Sequence, residues 1–222
     1  MRSIWLASNS PRRKELLALF GWDFQVKAEP VDERPLLGET AGSYVSRLAR
    51  EKVLRAASPA NNDGLIIAAD TAVVDGEEIL GKPADRQDAV RMLRQLRGRT
   101  HLVYTGLAVL QTSDGNIWED VCVTEVPVRA ATEAEIEAYV SSGDALDKAG
   151  AYAIQHAGFH PVEGLAGCYA NVMGLPLCHV TRILRKTGLR PEMDIAAVCQ
   201  EKLQYDCPVY HAILNEDYRQ PA

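Results

Sequence analysis

The sequence predicts an α/β fold in which helices flank a mixed, twisted sheet. Residues 65–71 (LIIAADT) form an apolar run without two-residue alternation, which is typical of a strand covered on both faces. Amphipathic helical stretches alternate with short strand-like runs along the chain, as in other α/β domains. Two longer runs, residues 100–110 and 117–128, are separated by a Ser-Asp-Gly-Asn turn, which predicts an antiparallel pair.

Composition narrows the class of protein. A chain of 222 residues is long enough for one sizeable domain with a proper core. The net charge of -6 argues against non-specific binding to nucleic acid or to an anionic membrane. The five cysteines are widely spaced without a C-x-x-C pair, which favours buried thiols over disulfides or structural zinc. With no signal-peptide core and no membrane-length apolar run, we expect a soluble cytoplasmic protein.

The first strand and helix predict a phosphate-binding loop. Residues 8–13 (SNSPRR) follow a short strand, and Ser10 and Pro11 are typical of an N-cap and a first helical position. Arg12 and Arg13 then oppose the helix dipole, a conflict that a bound anion would resolve. The alternative is a capped helix whose basic first turn is simply solvated. The Gly-rich Walker A pattern is missing.

A lysine lies on the apolar stripe of the next predicted helix. A short strand at residues 23–27 and an acidic segment containing Glu33 precede this helix, which covers residues 40–57. Lys52 follows the stripe at helical spacing. It therefore either snorkels past the core or reaches an internal polar site.

The central strand predicts an acidic site. Asp70 falls near the expected carboxyl end of the strand, where open α/β sheets hold their ligands. The Asp-Gly within residues 75–78 then predicts a hairpin. One register places Lys82 opposite Thr71 and the other places it opposite Ala69, so either leaves an ammonium near Asp70. The alternative is a surface ion pair at the base of a hairpin.

The second half of the chain contains one unusual segment. Helices are predicted over residues 85–98 and after a capping box at residues 132–135. Residues 147–155 (DKAGAYAIQ) place two charges and a glycine beside a run of small residues that is typical of a strand. Small residues permit close approach of a ligand, and the amide of Gln155 could read a base edge. A plain strand entry explains the same residues equally well.

The chain changes character after its last core helix, which is predicted over residues 177–187. We therefore divide it into a domain of residues 1–188 and a C-terminal extension of residues 189–222. The extension is predicted to contain one short helix at residues 194–203, followed by a polar, mobile tail.

Short motifs recur in a set order between residues 3 and 187. They are residues 8–13, 32–33, 50–52, 69–71, 81–83, 98–101, 105–106, 147–155 and 174–176. Any one of them is ambiguous. The ordered set resembles the Maf family of nucleoside triphosphate pyrophosphatases.

The resemblance implies a fold and a reaction. The fold is α/β, similar to the inosine triphosphatases, with two lobes around a central cleft. The reaction is hydrolysis of a nucleoside triphosphate to the monophosphate and pyrophosphate with a divalent metal, magnesium or manganese. Arg12, Thr71 and Gln155 are similar to the branch that acts on dTTP and UTP. The sequence departs from the family at His156, where a glycine is expected, and over residues 157–166.

The candidate residues that would bind phosphate are suited to this reaction, and most of them are cationic. Attack of water on the α-phosphorus requires charge neutralisation more than covalent catalysis. Ser8, Arg12 and Arg13 would hold the phosphates. Lys52 and Lys82 would stabilise the charge that develops in the transition state.

Two carboxylates complete the candidate site. Asp70 would orient or deprotonate the water, or would ligate the metal that does so, and Glu33 is the second carboxylate and second metal ligand. For both acids, the sequence does not distinguish a general base from a metal ligand.

Two alternatives to a dTTP/UTP pyrophosphatase follow from the same resemblance. One is the same reaction on 7-methyl-GTP or another purine nucleotide. The other is a non-catalytic, nucleotide-binding regulator of cell division or septum formation. The expected partner is a nucleoside triphosphate, without nucleic acid or membrane, and the chain could form a homodimer through its extension.

Overall fold

A computed structural model describes residues 2–58, 63–215 and 220–221. Within these ranges six strands form one sheet in the order β2-β1-β3-β5-β6, with β4 also beside β3. Their bounds are β1 Ser3–Leu6, β2 Gln25–Val26, β3 Gly64–Asp75, β4 Glu78–Leu80, β5 Thr100–Gln111 and β6 Ile117–Pro127. The helices are α1 Pro11–Ala18, α2 Ala41–Ala56, α3 Arg86–Leu96, α4 Glu133–Ser141, α5 Tyr169–Met173, α6 Leu177–Lys186, α7 Ile195–Leu203 and α8 Tyr210–Leu214. No helix in these ranges has both the length and the apolar character that crossing a bilayer requires.

The sheet is mixed, as predicted. β1 is parallel to both β2 and β3, whereas β3 is antiparallel to β4 and β5, and β5 is antiparallel to β6. Helices cover both faces of the central strand. Leu65, Ile67 and Ala69 face the core that contains α1 and α6. Ile66 and Ala68 face the core beneath α2. The α/β class is therefore confirmed.

A glycine on β5 lets α2 lie close against the sheet. A Cβ atom added to Gly106 would lie 2.4 Å from the carbonyl carbon and oxygen of Val45 on α2. Only a residue without a side chain permits this approach. Gly106 is the register partner of Asp70 on β3. Close packing of α2 at this point therefore brings the helix to the level of the predicted acidic site.

The longest strands pass through two hydrophobic cores. Residues at the start of β3 belong to the core with α1 and α6, whereas Val73 on β3 and Val103 on β5 belong to a second core with α3 and α4. Asp70 and Thr71 lie where β3 passes from one core to the other. The two lobes implied by the family resemblance correspond to these two cores.

One edge of β3 is interrupted at the same place. On that edge β1 pairs with β3 as far as Ile67, and β4 begins to pair at Val73. Residues 68–72 have no strand partner there within the described part of the chain, although β5 pairs along the whole opposite edge. Asp70 was expected near the carboxyl end of its strand and instead lies in the middle. The reason is that β5 and β4 extend β3 by five residues, while the parallel partner β1 stops short of Asp70.

The hairpin follows the first of the two predicted registers, but its ladder is shorter. Val74 is opposite Ile79, and the pairing ends before Lys82. Lys82 therefore has no cross-strand partner on β3, contrary to both predicted registers. The carbonyl of Gly81 instead accepts a hydrogen bond from the amide of Gly150, at 3.1 Å, so the chain leaves the sheet at this point.

The segment predicted as a small-residue strand is a 3₁₀ turn, Ala149–Ala151. Gly150 has φ of 67° and Ala151 has φ of 61°, so the backbone cannot extend here. A Cβ atom on Gly150 would lie 2.8 Å from a side-chain methyl of Val73. The small residues thus permit close packing of a turn against β3 rather than a strand.

The C-terminal extension contains two helices where one was predicted. α7 begins after the N-cap Asp194, as expected. α8 was not predicted, and its Ile213 is fully buried. The prediction of a polar, mobile tail is therefore wrong for α8, because the buried Ile213 packs this helix against Cys178 and Ala196. Residues 216–219 and 222 lie outside the described residues, and the domain division at residue 188 stays a prediction.

Deletion of residues 189–222 is expected to destabilise the protein. Ile195 packs into the core with α1 and α6, and Ile213 packs against Cys178 and Ala196. Loss of two buried isoleucines corresponds to about 3–6 kcal/mol in the free energy of unfolding. Thermal unfolding followed by circular dichroism measures this effect. Deletion of residues 216–222 alone keeps both isoleucines and is the control; equal melting temperatures for all three chains would contradict the prediction.

Candidate active site

The loop after β1 and the start of α1 form one side of the site. The side chain of Ser10 caps the helix by accepting a hydrogen bond from the amide of Arg13, and Pro11 occupies the first position. Buried Ser8 accepts from the amide of Ser10 and from Nη1 of Arg13, both at 3.3 Å. The first turn carries no acidic residue. Pro11 has no amide proton and the amides of Arg13 and Lys14 already bond Ser10, so this turn offers an anion the amide of Arg12 and its basic side chains.

Arg13 is fixed by a relay of hydrogen bonds across the sheet. Its Nε donates to the carbonyl of Gly174 at 2.9 Å, and its Nη2 donates to Oγ1 of Thr71 at 3.0 Å. The Thr71 and Thr105 hydroxyls are 2.9 Å apart, and Thr105 donates to the carbonyl of Asn171 at 3.1 Å. Because Thr105 uses its proton on Asn171, Thr71 is the donor in the pair of hydroxyls. This relay fixes the plane of the guanidinium beside β3.

The other side of the site is organised around Lys52. Its Nζ donates to Oδ1 of Asp70 and, at 2.9 Å, to Oε1 of Glu33. Lys82 approaches Oε2 of Glu33 at 3.9 Å. The side chains of Lys52 and Asp70 are only 12% and 10% exposed. Lys52 therefore reaches an internal polar site, and the snorkelling alternative is wrong.

Glu33 stays ionised because of its cationic neighbours. Burial by itself raises the pKa of this carboxyl group, but the charge of Lys52 and its hydrogen bond, together with Lys82 and Arg13, outweigh burial and hold the pKa below its ordinary value. Burial also lowers the pKa of Arg13, and the nearby Asp70 carboxylate opposes that shift. The two sides of the site are thus coupled electrostatically across the interrupted edge of β3.

Asp70 and Thr71 point to opposite faces of β3 because successive strand residues alternate. Asp70 faces α2 and Lys52, whereas Thr71 faces α1 and Arg13. The two groups of residues can act on one ligand only where the sheet is interrupted, which is at residues 68–72. Oδ2 of Asp70 accepts no hydrogen bond from the described parts of the protein and is available to a water or a metal ion.

Some residues that shape the site were missed in the sequence. The hydroxyl of Tyr44 on α2 donates to the backbone carbonyl of Glu33 at 2.7 Å and so fixes the segment that carries this acid. Burial, with smaller contributions from Asp70 and Glu33, raises the pKa of Tyr44 to about 12, so it stays a donor. The relay residues Thr105 and Asn171 were also missed, although Thr105 lies in one of the family motifs.

Two predicted residues lie apart from this network. Arg12 is half-buried and makes no side-chain hydrogen bond within the described ranges. Gln155 is exposed, in a turn that follows the 3₁₀ turn. The structure thus brings together Ser8, Arg13, Thr71, Glu33, Lys52, Asp70 and Lys82. Their roles, and those of Arg12 and Gln155, stay predictions.

The arrangement is suited to a polyanionic ligand. Cationic side chains and the amide of Arg12 line one side, and the carboxyl groups of Asp70 and Glu33, both bonded to Lys52, line the other. No group of three or more His, Cys, Asp or Glu side chains in the described ranges could hold a metal ion. Any metal here would therefore need ligands from the substrate as well.

The chain is similar to known proteins over most of its length. The family profile described as Maf-like protein matches residues 3–187. A dTTP/UTP pyrophosphatase of Geobacter sulfurreducens is 47% identical over 186 residues, which are 83% of this chain and 96% of that protein. One of Myxococcus xanthus is 47% identical over 184 residues, covering 83% and 92%. Among solved structures, the Staphylococcus aureus Ham1 protein is 17% identical and covers 59% of this chain and 73% of its own, with a TM-score of 0.43.

Proposed function

Since this chain belongs to the Maf family, we propose that its site hydrolyses nucleoside triphosphates to the monophosphate and pyrophosphate. The substrates that the proposal favours are dTTP and UTP, which name the activity of its relatives. The observation that carries the proposal is the position of Lys52. It joins Asp70 and Glu33 opposite the Arg13 relay, where β1 and β4 leave one edge of β3 without a strand partner in the described ranges.

The chemistry follows from these positions. A water oxygen attacks the α-phosphorus, the bond to the bridging oxygen breaks, and pyrophosphate leaves. Asp70 orients the water and accepts its proton. Lys52 and Lys82 stabilise the charge that develops on the phosphoryl oxygens. Arg13 and the amide of Arg12 at the start of α1 bind the pyrophosphate end and so stabilise the leaving group.

The residues present fit a divalent metal ion. Mg²⁺ prefers hard oxygen ligands and is usually held by one or two carboxylates together with substrate phosphates. Asp70, through its available Oδ2, and Glu33 would hold Mg²⁺ or Mn²⁺ in this way. When bound, the ion would supply positive charge to the triphosphate.

A panel of nucleotides tests the proposal. Purified protein with Mg²⁺ or Mn²⁺ is expected to release pyrophosphate from dTTP and UTP in preference to other nucleotides. Preferential turnover of 7-methyl-GTP or a purine nucleotide would favour the first alternative. Tight triphosphate binding without turnover would favour the regulatory alternative, and release of orthophosphate alone would contradict the proposal.

We also propose an oligomeric state and a cellular location for this protein. Two chains are proposed to associate as a homodimer, and light scattering on the full chain and on the chain without residues 189–222 tests this. The cytoplasm is the proposed location, which fractionation of cells that express the protein would test.

A further inference from the structure

One buried tyrosine contacts both sides of the exposed Gln155. The hydroxyl of Tyr139 accepts a hydrogen bond from the amide of Ala153 at 3.0 Å. Its ring meets the ring of His156 edge to face, with centroids 4.7 Å apart and planes at 70°. Gln155 lies between these two contacts in the sequence. A single side chain thus fixes the backbone on either side of it.

Tyr139 is itself held by a charged cluster. Its hydroxyl donates to Oδ2 of Asp144 at 2.9 Å. Lys148, which is only 5% exposed, donates to Oδ1 and to the carbonyl of Asp144 at 2.8 and 2.5 Å, and to Asp147 at 2.6 Å. All three ammonium protons are used, which is what a buried lysine requires. Asp144 is thereby fixed, and with it the direction of the tyrosine hydroxyl.

The ring of Tyr139 is held from the other side by stacking. It lies 4.5 Å from the ring of Phe159 with an angle of 6° between planes. The amide of Phe159 donates to Nδ1 of His156 at 2.9 Å, which closes the turn that follows Gln155. His156 stands where the family resemblance predicts a glycine. In this chain it therefore adds a ring contact to Tyr139 that a glycine could not make.

The 3₁₀ turn that precedes Gln155 is bonded to a segment of the candidate active site. Burial and the bonded Asp144 carboxylate raise the pKa of Tyr139, and the charge of Arg12 at the start of α1 is among the smaller contributions that oppose this shift. The amide of Gly150 binds the carbonyl of Gly81, which is adjacent to Lys82. The 3₁₀ turn is therefore bonded to the segment that carries Lys82, and the exposed Gln155 follows it five residues after Gly150.

We propose that Tyr139 is a positioning residue that orients Gln155 toward the nucleobase and so sets the base selectivity of the enzyme. This inference rests on the proposed function, because it assumes that a nucleotide occupies the site. It assigns to the Tyr139, Asp144 and Lys148 cluster a role in selectivity rather than in phosphate chemistry.

The test compares binding of a nucleotide whose α,β bridge resists hydrolysis with binding of a phosphate chain that lacks a base. α,β-Imido-dUTP carries a base, and inorganic tripolyphosphate does not. Tyr139→Phe removes only the hydroxyl and keeps the stacked ring. Loss of a hydrogen bond of ordinary strength corresponds to about a tenfold change in affinity. We expect calorimetry to show that Y139F binds α,β-imido-dUTP about tenfold more weakly and binds tripolyphosphate within about twofold of the unaltered protein.

The control variant is Thr132→Ala. It removes the hydroxyl half of the capping box at the other end of α4, so it destabilises the same helix, while the Thr132 side chain itself bonds only Glu135 and not the turn in the described ranges. We expect T132A to lower the melting temperature and to bind both ligands as before. A base-dependent loss in T132A, an equal loss of both ligands in Y139F, or no loss in Y139F would overturn the proposal.

A second measurement asks whether Tyr139 acts through Gln155. In a Gln155→Ala background the further substitution Tyr139→Phe is expected to have no additional effect on α,β-imido-dUTP, because residues that act through one another are not additive. Additive losses would overturn the proposal. Binding is read without turnover. A protein that binds as expected but releases no pyrophosphate would therefore contradict the proposed function and leave this inference supported.

Discussion

Asp70→Asn is expected to lower kcat for pyrophosphate release by at least about a thousandfold while the protein still binds triphosphate. The amide cannot accept the proton of the attacking water, which removes general-base catalysis and the carboxylate that would hold a metal ion. Binding survives because the cationic side chains of Arg13 and Lys52 supply it, and Lys52 loses one of its two anionic partners. Steady-state pyrophosphate release measures kcat, and calorimetry with α,β-imido-dUTP measures binding.

The matched control is Asp75→Asn, the same substitution on the same strand. Asp75 binds Arg99 at 3.0 Å and Gln95 at 3.0 Å and has no contact with the site in the described part of the chain. It is expected to keep nearly full turnover. If D70N retained more than about a tenth of the turnover that D75N shows, Asp70 would not be the catalytic carboxylate.

Lys52→Met is expected to lower kcat/KM by about 10²–10³-fold and to move the acidic limb of the pH–rate profile to higher pH. The loss follows from removal of a buried cation at the position of developing charge. The direction of the shift in the acidic limb follows from the pKa of Glu33. Lys52 is the main group that holds the pKa of Glu33 below its ordinary value, against burial, so its removal raises that pKa. Protonation of Glu33 then begins at a higher pH as the solution is acidified.

Arg50→Met is the control for Lys52→Met. It removes a cation from the same helix, two residues away, but Arg50 pairs with Glu119 on β6. Profiles of kcat/KM against pH for the unaltered protein, K52M and R50M test this prediction. We expect R50M to keep the acidic limb in place. An unshifted limb in K52M would mean that Glu33 does not govern activity in acid.

Features governed by neighbours in the sequence could be predicted. The N-caps Ser10, Asp85 and Thr132 each bond an amide three residues away, so the pattern that predicts them contains both partners. The unusual position of Lys52 could also be predicted locally, because helical spacing alone places it on the apolar stripe. The family motifs supplied the reaction, which spacing could not.

Features that depend on distant pairing could not be predicted. Thr71 meets Thr105 across 34 residues, and Thr105 meets Asn171 across 66, so no local pattern links them. The hairpin register was anticipated, but the early end of its ladder depends on a bond between Gly81 and Gly150. A run of small residues also has two interpretations, extended or tightly turned. The side chain of Val73 packed against that run decides between them.

The passage of β3 and β5 through both cores has a mechanical consequence. These two strands are continuous between the lobes, so any opening or closing of the cleft must be a bend or twist of the strands near Thr71 and Gly106. The axis of this bend would lie near Thr71 and Gly106. Atoms close to the axis move little for a given rotation, and atoms far from it move further. The ion pair of Asp70 with Lys52 would therefore keep its geometry through the motion.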